Sequence, residues 1–410
     1  MEKVKVDPET MGEYMNGFAW GAPPHGGAGI GLERIVMLLF QLGDVRHASL
    51  FPRDPKSLPA KRKAAQLRHP EASTLHPPWE EHPSERKELQ PLTKLIANYG
   101  DASNTSWLEP KFKIWRDDET GAAIGYVPHQ GYAMTVGDPL CHESQYHKVI
   151  SRYLDWVKHE TDMKALWVLC GGNTADALGD RLDWRCFSCA AEQRVNLEEP
   201  LQAATDNDIQ RKIRHAHKEG VKVHDIMMGD EVPSDFRQKI DKRVEDWLGS
   251  RKDHQHVHLT DVHPWQDIEH RQYHYATDKS GTIVGLVILA LLSPEHGYQI
   301  KFSLDFPDAP SGSIEAINMH ALTGLKAAGV PSCTYGGGAS NNFLPSHNLK
   351  GAKVKMLAKA YRTIASELKL TQKSEFREKL GAYEDPIYVC YPPRGLGPKG
   401  IHAILSFFED

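Results

Sequence analysis

The sequence predicts an α/β (α+β) protein whose body, after residue 92, is built from two similar lobes. Predicted strands and helices alternate along this body, and a similar order of helices and strands appears twice, on either side of about residue 226. The length of 410 residues, with 40% hydrophobic and 25% charged residues, suits two or three globular domains.

The first predicted elements lie between residues 92 and 225. Residues 111–116 and 122–129 alternate around a turn at 117–121, which predicts a β-hairpin. Further spacing predicts helices at 142–160 and 207–219, the latter stopped by Gly220, and strands at 165–169 and 222–224.

The second lobe, residues 226–410, repeats a similar order. The pattern predicts helices at 235–248, 313–328 and 350–368, with Gly329 ending the middle one, and strands at 272–277, 282–293, 298–306, 332–335 and 387–391. Residues 59–91 are rich in Pro, His and mixed charge, and we interpret them as a linker behind a separate segment, 1–58.

Charge and composition exclude several classes of protein. The net charge of -5 excludes a protein that is basic overall, so any polyanion must bind at a local basic surface. The longest apolar run, 282–293, is too short to span a bilayer, and no apolar segment follows Met1. Six dispersed cysteines indicate reduced thiols, and we expect a cytoplasmic protein without a disulfide framework.

A glycine-rich motif, GAPPHGGAGIGLER, occupies residues 21–34 and precedes an apolar helix. Glycines let a backbone approach a ligand closely, and an arginine at a helix start binds phosphate oxygens. The motif resembles motif 3 of class II aminoacyl-tRNA synthetases, and residues 4–58 resemble the C-terminal end of aspartyl-tRNA synthetases. The resemblance implies ATP binding at Arg34 beside Glu33. Motifs 1 and 2 are absent from the chain, so we expect a vestigial site that cannot charge tRNA by itself.

Four further motifs follow in order: VGDP at 136–139, LD at 304–305 with DAPSGSIE at 308–315, YGGGAS at 335–340, and FREK at 376–379 with PIYVCYP at 386–392. Together they resemble the C-terminal catalytic domain of phosphatidylglycerol lysyltransferases. That resemblance implies tandem acetyltransferase-like (dual GNAT-like) lobes, with the second lobe catalytic. It implies transfer from aminoacyl-tRNA to a lipid hydroxyl without a metal or other cofactor. The sequence departs from the family where Phe306 and Pro307 replace an expected arginine.

The two resemblances, joined, match fungal enzymes that esterify the 3β-hydroxyl of ergosterol with aspartate. This implies Asp-tRNA and ergosterol, or another lipid alcohol, as partners, with peripheral membrane contact and a full-length aspartyl-tRNA synthetase as a further candidate partner. Two alternatives stay open: transfer of glycine or another amino acid to a sterol or phospholipid, and a non-catalytic tRNA-binding remnant.

Candidate catalytic residues are three acids, Asp305, Asp308 and Glu315, placed at a strand end and the following helix start, where functional groups collect. Glu315 has a second interpretation, as an acid that stabilises the helix dipole. We expect the backbone N–H groups of Gly337 and Gly338 to face a developing oxyanion, or else to form a plain turn.

Candidate binding residues come partly from the resemblance, which implies roles for Asp138, Lys379 and Tyr388. Lys301 is our candidate to meet an aspartyl carboxylate, with an exposed strand lysine as the alternative. Two basic helix faces predict tRNA contact; they comprise Arg211, Arg214 and Lys218 on one helix and Lys355, Lys359 and Arg362 on another. We expect no metal site from the Cys186–Cys189 spacing or from the histidines at 254, 256 and 258.

Overall fold

A computed structural model of the chain describes residues 12–23, 29, 31–49, 89–250, 261–351, 354–355, 357–359, 361 and 374–409. The chain divides into two compact units, residues 1–62 and 63–410. The predicted linker, 59–91, lies almost wholly outside the described residues, as do the histidines at 254, 256 and 258.

The first unit contains two short helices, α1 (Gly12–Ala19) and α2 (Leu32–Leu39), followed by a 3₁₀ turn at Val45–Ala48. None of the residues of α2 is buried, and Leu38 and Leu39 are 71% and 74% exposed. The Asp44 side chain accepts a hydrogen bond from the backbone N–H of Arg46 and caps the turn. The described part of this unit therefore has helices without a core of its own.

The second unit is built on one sheet of eleven strands. Its strands are β1 (Lys113–Arg116), β2 (Ala123–His129), β3 (Tyr132–Val136), β4 (Lys164–Cys170), β5 (Arg185–Asn196), β6 (Lys222–Ile226), β7 (Arg271–Thr277), β8 (Ile283–Leu291), β9 (Tyr298–Asp305), β10 (Ser332–Pro345) and β11 (Tyr383–Tyr391). Its α-helices are α3 (Leu92–Tyr99), α4 (Tyr146–Glu160), α5 (Gly172–Leu182), α6 (Asn207–Lys218), α7 (Ser234–Gly249), α8 (Ser313–Ala327), α9 (Ser374–Lys379) and α10 (Gly397–Glu409). Parts of 354–361 are also helical.

The two halves of the sheet repeat one arrangement. An antiparallel meander, β1–β3 in one half and β6–β9 in the other, is followed by a crossover helix and a parallel strand. The crossover helices are α4 and α8, and the parallel strands are β4 and β10. The mixed α/β fold with tandem acetyltransferase-like lobes is therefore confirmed.

The strand order is β1-β2-β3-β4-β11-β5-β10-β9-β8-β7-β6. The C-terminal strand β11 lies between β4 and β5, inside the first half of the sheet, and β6 pairs with β7 although it begins before residue 226. The predicted division at residue 226 thus cuts a strand and assigns β11 to the wrong lobe. Local patterns could not reveal this exchange, because strand partners are chosen by tertiary contacts.

Helices cover both faces of the sheet. In the second half, β5, β8, β9, α6 and α8 contribute to one core that includes Ile209, Ile317 and Leu322, while α7 packs over another that includes Ile240 and Leu286. No helix among the described residues is both long enough and apolar enough to cross a bilayer. All six cysteines are free thiols, as the composition predicts.

Candidate active site at a split in the sheet

The sheet loses its regular pairing between β9 and β10. These parallel strands are paired only at Tyr298 with Cys333 and at Gln299 with Thr334. Beyond Thr334 a register shift intervenes, and β10 continues along β5 with Gly337 opposite Glu192. Gly336 lies at this shift with a φ of 81°, which favours glycine. We call the region where β9 and β10 separate the split.

The segment between α3 and β1 contacts the split. Thr105, on a 3₁₀ helix of this segment, has its Oγ1 2.7 Å from Gln299 Oε1. The same hydroxyl accepts a hydrogen bond of 2.9 Å from the ammonium of Lys301. A Cβ on Gly336 would lie 3.0 Å from Gln299 Nε2, so the glycine also makes room for this polar contact.

Lys301 is half-buried rather than exposed, which decides against the alternative of an ordinary surface lysine. Burial, followed by the nearby charge of Arg271, lowers the pKa of Lys301 from 10.5 to about 7, although Glu109 opposes the shift. Because the charge costs free energy there, an anion that entered the split would favour the protonated amine.

A second cation lies on the other side of Tyr335. Arg377, on α9, has its guanidinium 5.6 Å from the centre of the Tyr335 ring and donates to Gln193 Oε1 at 3.0 Å. A Cβ on Gly338 would lie 4.0 Å from Arg377 Nη1. Burial lowers the pKa of Arg377 and raises that of Tyr335. The sequence analysis did not select Arg377, although it belongs to the quoted FREK motif.

Asn318 links α8 to β9 beside the same tyrosine. Its Nδ2 donates to Ser303 Oγ at 3.0 Å, and its Oδ1 accepts from the Tyr335 hydroxyl at 3.5 Å. Thus Ser303 contacts α8, whereas Lys301 contacts the 3₁₀ helix. Residues 301 and 303 would face the same side of a regular strand. In β9 they contact different layers, because a bulge lies between the pairs formed by Phe302 and Ile300.

The three predicted acids have different surroundings. Asp305 is the last residue of β9 and is exposed, and Asp308 is exposed in the loop to α8 with a φ of 66°. Glu315 is 6% exposed and accepts a hydrogen bond of 2.8 Å from Lys212 on α6. Glu315 thus already has a counterion in an ion pair between helices, which makes it the weakest of the three candidates, and its role as a proton acceptor stays a prediction.

Two of the binding residues that the resemblance implies, Asp138 and Tyr388, make structural contacts. Asp138 Oδ1 accepts from the Gly171 N–H at 2.8 Å at the start of α5, and its own carbonyl accepts from Asn104. Tyr388 pairs with Cys170 and packs against the core of the first lobe. β11 is three strands from β9, roughly 14 Å, so Tyr388 lies away from the split, and the binding roles of Asp138 and Tyr388 stay predictions.

Gly337 and Gly338 lie on β10 beyond the split, a position that is compatible with the predicted oxyanion site. However, both are paired with β5, opposite Glu192 and Ala191. Only Gly336 combines a positive φ with a position at the register shift. The role of these glycines as oxyanion donors stays a prediction.

The first predicted tRNA face is exposed. Arg211, Arg214 and Lys218 are all exposed on α6, while Ile209 and Ala216 on its other face are buried. The predicted spacing on one helix face is confirmed, although contact with RNA is untested.

This basic face continues onto α9. Lys379 Nζ lies 3.4 Å from Asp208 Oδ2, and Arg211 donates to the same carboxylate at 2.6 Å. Burial opposes ionisation of Asp208, but Lys212, Lys379 and Arg211 outweigh it and lower its pKa. Lys379 therefore extends the α6 face, and its contact with the aminoacyl end stays a prediction.

The second predicted tRNA face is described only in part. Lys355 and Lys359 are exposed on the helical residues of 354–361, and Ala358 is buried. Arg362 lies outside the described residues. In the first unit, Glu33 and Arg34 lie exposed on the first turn of α2, and their role in ATP binding stays a prediction.

A network of buried charges near the centre of the sheet escaped the sequence analysis. Arg194 donates to Glu192 at 2.7 Å and to Asp385 at 2.9 Å. Burial raises the pKa of Asp101, and the charge of Asp138 adds to the effect. No local pattern marks these residues, which lie on β5, β11 and the segment after α3.

A cleft of about 530 Å³ opens beside α7. Its lining includes Leu108, Val244, Trp265 and His263. His263 Nε2 lies 3.5 Å from the buried carboxylate of Glu109, a neighbour of Lys301 in the electrostatics described above. The cleft thus combines apolar walls with a connection to the charges near the split.

Comparison with known proteins assigns families to both parts of the chain. Residues 93–391 match the model of the family "Phosphatidylglycerol lysyltransferase, C-terminal", and residues 1–55 match "tRNA synthetases class II (D, K and N)". The first part is similar to a probable cytoplasmic aspartate–tRNA ligase of Encephalitozoon cuniculi, with 52% identity over 58 residues, 14% of this chain and 12% of that protein. The human cytoplasmic aspartate–tRNA ligase is 55% identical over 53 residues, 13% of this chain and 11% of its own length. The chain thus spans about a tenth of these relatives.

Solved structures share the fold of the second part. The structure of L-PGS from Bacillus licheniformis has a TM-score of 0.62 and 17% identity, covering 78% of this chain and 96% of that one. The C-terminal domain of a putative lysylphosphatidylglycerol synthetase from Agrobacterium fabrum has a TM-score of 0.59 and 14% identity, covering 77% of this chain and 94% of that one. From the family match over most of its length, the chain belongs to the phosphatidylglycerol lysyltransferase C-terminal family and is an aminoacyltransferase that also carries a class II synthetase segment.

Proposed function

We propose that the protein transfers aspartate from Asp-tRNA to the 3β-hydroxyl of ergosterol. The observation that carries this proposal is the union, in one chain, of an aminoacyltransferase domain with a segment similar to aspartate–tRNA ligases. A transferase descended from one joined to a complete synthetase was supplied with that enzyme's product at high effective concentration. We therefore infer aspartate, rather than lysine, as the donor amino acid.

The reaction exchanges one ester for another. The acceptor oxygen attacks the aminoacyl carbonyl, the bond to the terminal ribose of the tRNA breaks, and the proton of the acceptor passes to the departing ribose oxygen. No ATP is consumed in this step, because the aminoacyl ester is already activated. The protein's contribution is then proximity, proton transfer and stabilisation of the oxyanion.

The charges near the split support an acidic aminoacyl group. Lys301 bonds to Thr105 at the split and Arg377 lies over the ring of Tyr335 on β10, and both cations are at least half-buried. A carboxylate there would gain a charge-assisted hydrogen bond from either cation. A lysyl group would add a third positive charge. Repulsion among the charges would cost free energy, because the region is poorly exposed to solvent.

Proton transfer falls to the exposed acids. With Glu315 held by Lys212, Asp305 and Asp308 are the remaining candidates of the three, at the end of β9 and in the loop behind it. Of these, Asp305 belongs to the strand that borders the split. We assign it the first test as general base.

An uncharged acceptor suits the loop after β9. Phe306 is 2% exposed and Pro307 follows it, so neither residue supplies a cation for a lipid phosphate, and the nearby guanidinium of Arg243 already donates to the Pro307 carbonyl at 2.7 Å. The cleft beside α7 has apolar walls for a sterol body.

For tRNA we propose contact with the α6 face and with Lys355 and Lys359. We also infer a cytoplasmic enzyme that contacts membranes peripherally, with a complete aspartyl-tRNA synthetase as a further candidate partner.

Separate donors and acceptors test the proposal. Purified protein receives pre-charged Asp-tRNA or Gly-tRNA, each with vesicles that contain ergosterol or phosphatidylglycerol. We expect a ninhydrin-positive lipid that mild alkali destroys, formed only from Asp-tRNA and ergosterol. Product from Gly-tRNA alone would refute the aspartate donor, and product with phosphatidylglycerol alone would refute the sterol acceptor.

Two variants assign roles within that assay. Asp305→Asn should reduce transfer by more than about 100-fold, within the usual range for loss of a general base. Arg34→Ala is the matched control, because it alters the synthetase segment and should leave transfer from pre-charged tRNA unchanged. No product with any pairing would favour the non-catalytic, tRNA-binding alternative.

A further inference from the structure

Three side chains with metal-binding atoms converge at the outer edge of the second lobe. Asp225 lies on the edge strand β6, and the strand register places it directly opposite His274 on β7. His320, on α8, reaches the same carboxylate. His274 Nδ1 lies 2.6 Å from Asp225 Oδ1, and His320 Nε2 lies 3.0 and 2.9 Å from the two carboxylate oxygens.

The buried histidine has one nitrogen without a partner. His274 is 4% exposed, and its Nε2 has no hydrogen-bond partner among the residues that the structure describes. Its ring is therefore oriented from Nδ1 alone, through Asp225. The carboxylate of Asp225 accepts from the Nδ1–H, so a cation bound at Nδ1 would displace this proton and the neutral ring would carry it on Nε2 instead.

We propose that Asp225, His274 and His320 bind a divalent transition metal of the zinc type. Two imidazoles and one carboxylate form a donor set typical of zinc and iron(II) and are too rich in nitrogen for magnesium or calcium. All three donor atoms lie within 4.8 Å of one another. Solvent fills a fourth position, because the side chains of His320 and Asp225 are 45% and 35% exposed.

The geometry needs only a small adjustment. Metal–ligand bonds of about 2.0–2.1 Å at the tetrahedral angle set donor atoms about 3.3–3.4 Å apart. The present separations of 2.6–3.0 Å between nitrogen and carboxylate oxygen must widen by less than 1 Å. The partly exposed side chains of Asp225 and His320 can make this movement while His274 stays fixed in the core.

A bound ion would tie the edge strand to the helix that follows the split. β6 has only β7 as a neighbour in the sheet, so it depends on side-chain contacts at its outer edge. α8 begins just beyond the loop that contains Asp308. The inferred role is to fix β6 against α8, independent of which aminoacyl group is transferred.

A second set of potential ligands, Glu109, Asp261 and His263, also lies within 4.8 Å. It is the weaker candidate because the positive charges of Lys301 and Arg271 lie close to it. Because this second set is present, the experiment must assign the metal site from the variants and not from the metal-to-protein ratio alone.

The experiment measures binding of cobalt(II) and zinc to the full chain after treatment with a chelator. We expect visible d–d bands of four-coordinate cobalt and a rise in Tm with zinc. His320→Ala should weaken binding by more than about 100-fold, beyond the range for loss of an outer-shell partner. Asp225→Asn should act in the same direction.

His224→Ala is the matched control, since His224 neighbours Asp225 but stacks on Tyr275 and bonds to Thr277. It should retain both the cobalt bands and the zinc-dependent rise in Tm. Equal binding by the control and by both cluster variants, or absence of cobalt bands in the native chain, overturns the proposal. Circular dichroism of each variant separates loss of the metal from loss of the fold.

Discussion

The buried amine of Lys301 makes a prediction about stability that needs no knowledge of the substrate. Its pKa falls from 10.5 in the free side chain to about 7 in the folded chain. In the range between these values the folded state binds fewer protons than the unfolded state, so unfolding takes up a proton. The contribution of Lys301 therefore makes the free energy of unfolding rise as pH increases from about 7 towards 10.5.

The size of the effect follows from the shift. At 1.36 kcal/mol per unit, the full displacement corresponds to roughly 5 kcal/mol, and about 2 kcal/mol of it is gained between pH 7 and pH 9. Replacing Lys301 by Met removes the titrating group while keeping an unbranched chain of similar length. The difference in free energy of unfolding between native protein and Lys301→Met should thus change by about 2 kcal/mol over those two pH units.

Urea unfolding at half-unit steps from pH 6.5 to 9 measures this difference. Subtracting the two curves removes histidine and cysteine titrations that both proteins share. Lys239→Met is the control, because Lys239 is 65% exposed on α7, where it pairs with Asp235. A difference curve for Lys301→Met as flat as that of the control would refute the burial argument.

Further variants test the structural contacts and the RNA surface. Glu315→Gln should lower the free energy of unfolding by about 1–3 kcal/mol, since it leaves Lys212 without its buried partner; denaturant unfolding measures this. Gly312→Ala should cost at least about 2 kcal/mol in the same assay, because its φ is 93° and the new Cβ would meet the Lys212 carbonyl at 2.1 Å. Arg211→Glu should weaken tRNA binding by about 1 kcal/mol or more and reduce its salt dependence, as measured by filter binding at several salt concentrations; unchanged affinity would place the RNA elsewhere.

The local elements were largely predictable because their signals are local. The helix predicted at 207–219 is observed at Asn207–Lys218, and its stop, Gly220, has a φ of 84°. The hairpin predicted from the turn at 117–121 is observed as β1 and β2, with antiparallel pairing. Apolar spacing and glycine at a helix end act over a few residues, so sequence alone suffices.

The site was less predictable because it depends on distant contacts. Lys301 bonds to Thr105, 196 residues earlier in the chain, and Arg377 bonds to Gln193, 184 residues earlier. The pairing of Glu315 with Lys212 likewise joins two helices, α8 and α6, that are far apart in the sequence. A sequence pattern can identify an acid at a helix start, but it cannot say whether another helix supplies its counterion.

The distribution of charge follows from the strand exchange. β11 fills the position between β4 and β5 in the first half of the sheet, whereas no strand among the described residues fills the space where β9 and β10 separate. The two lobes therefore share a fold but differ at the equivalent edge: the first is closed by backbone pairing, and the second keeps polar side chains such as Lys301 and Gln299 between layers. Burying such groups lowers stability unless they have partners or a ligand. That cost at the split is a physical reason to look for transfer chemistry there.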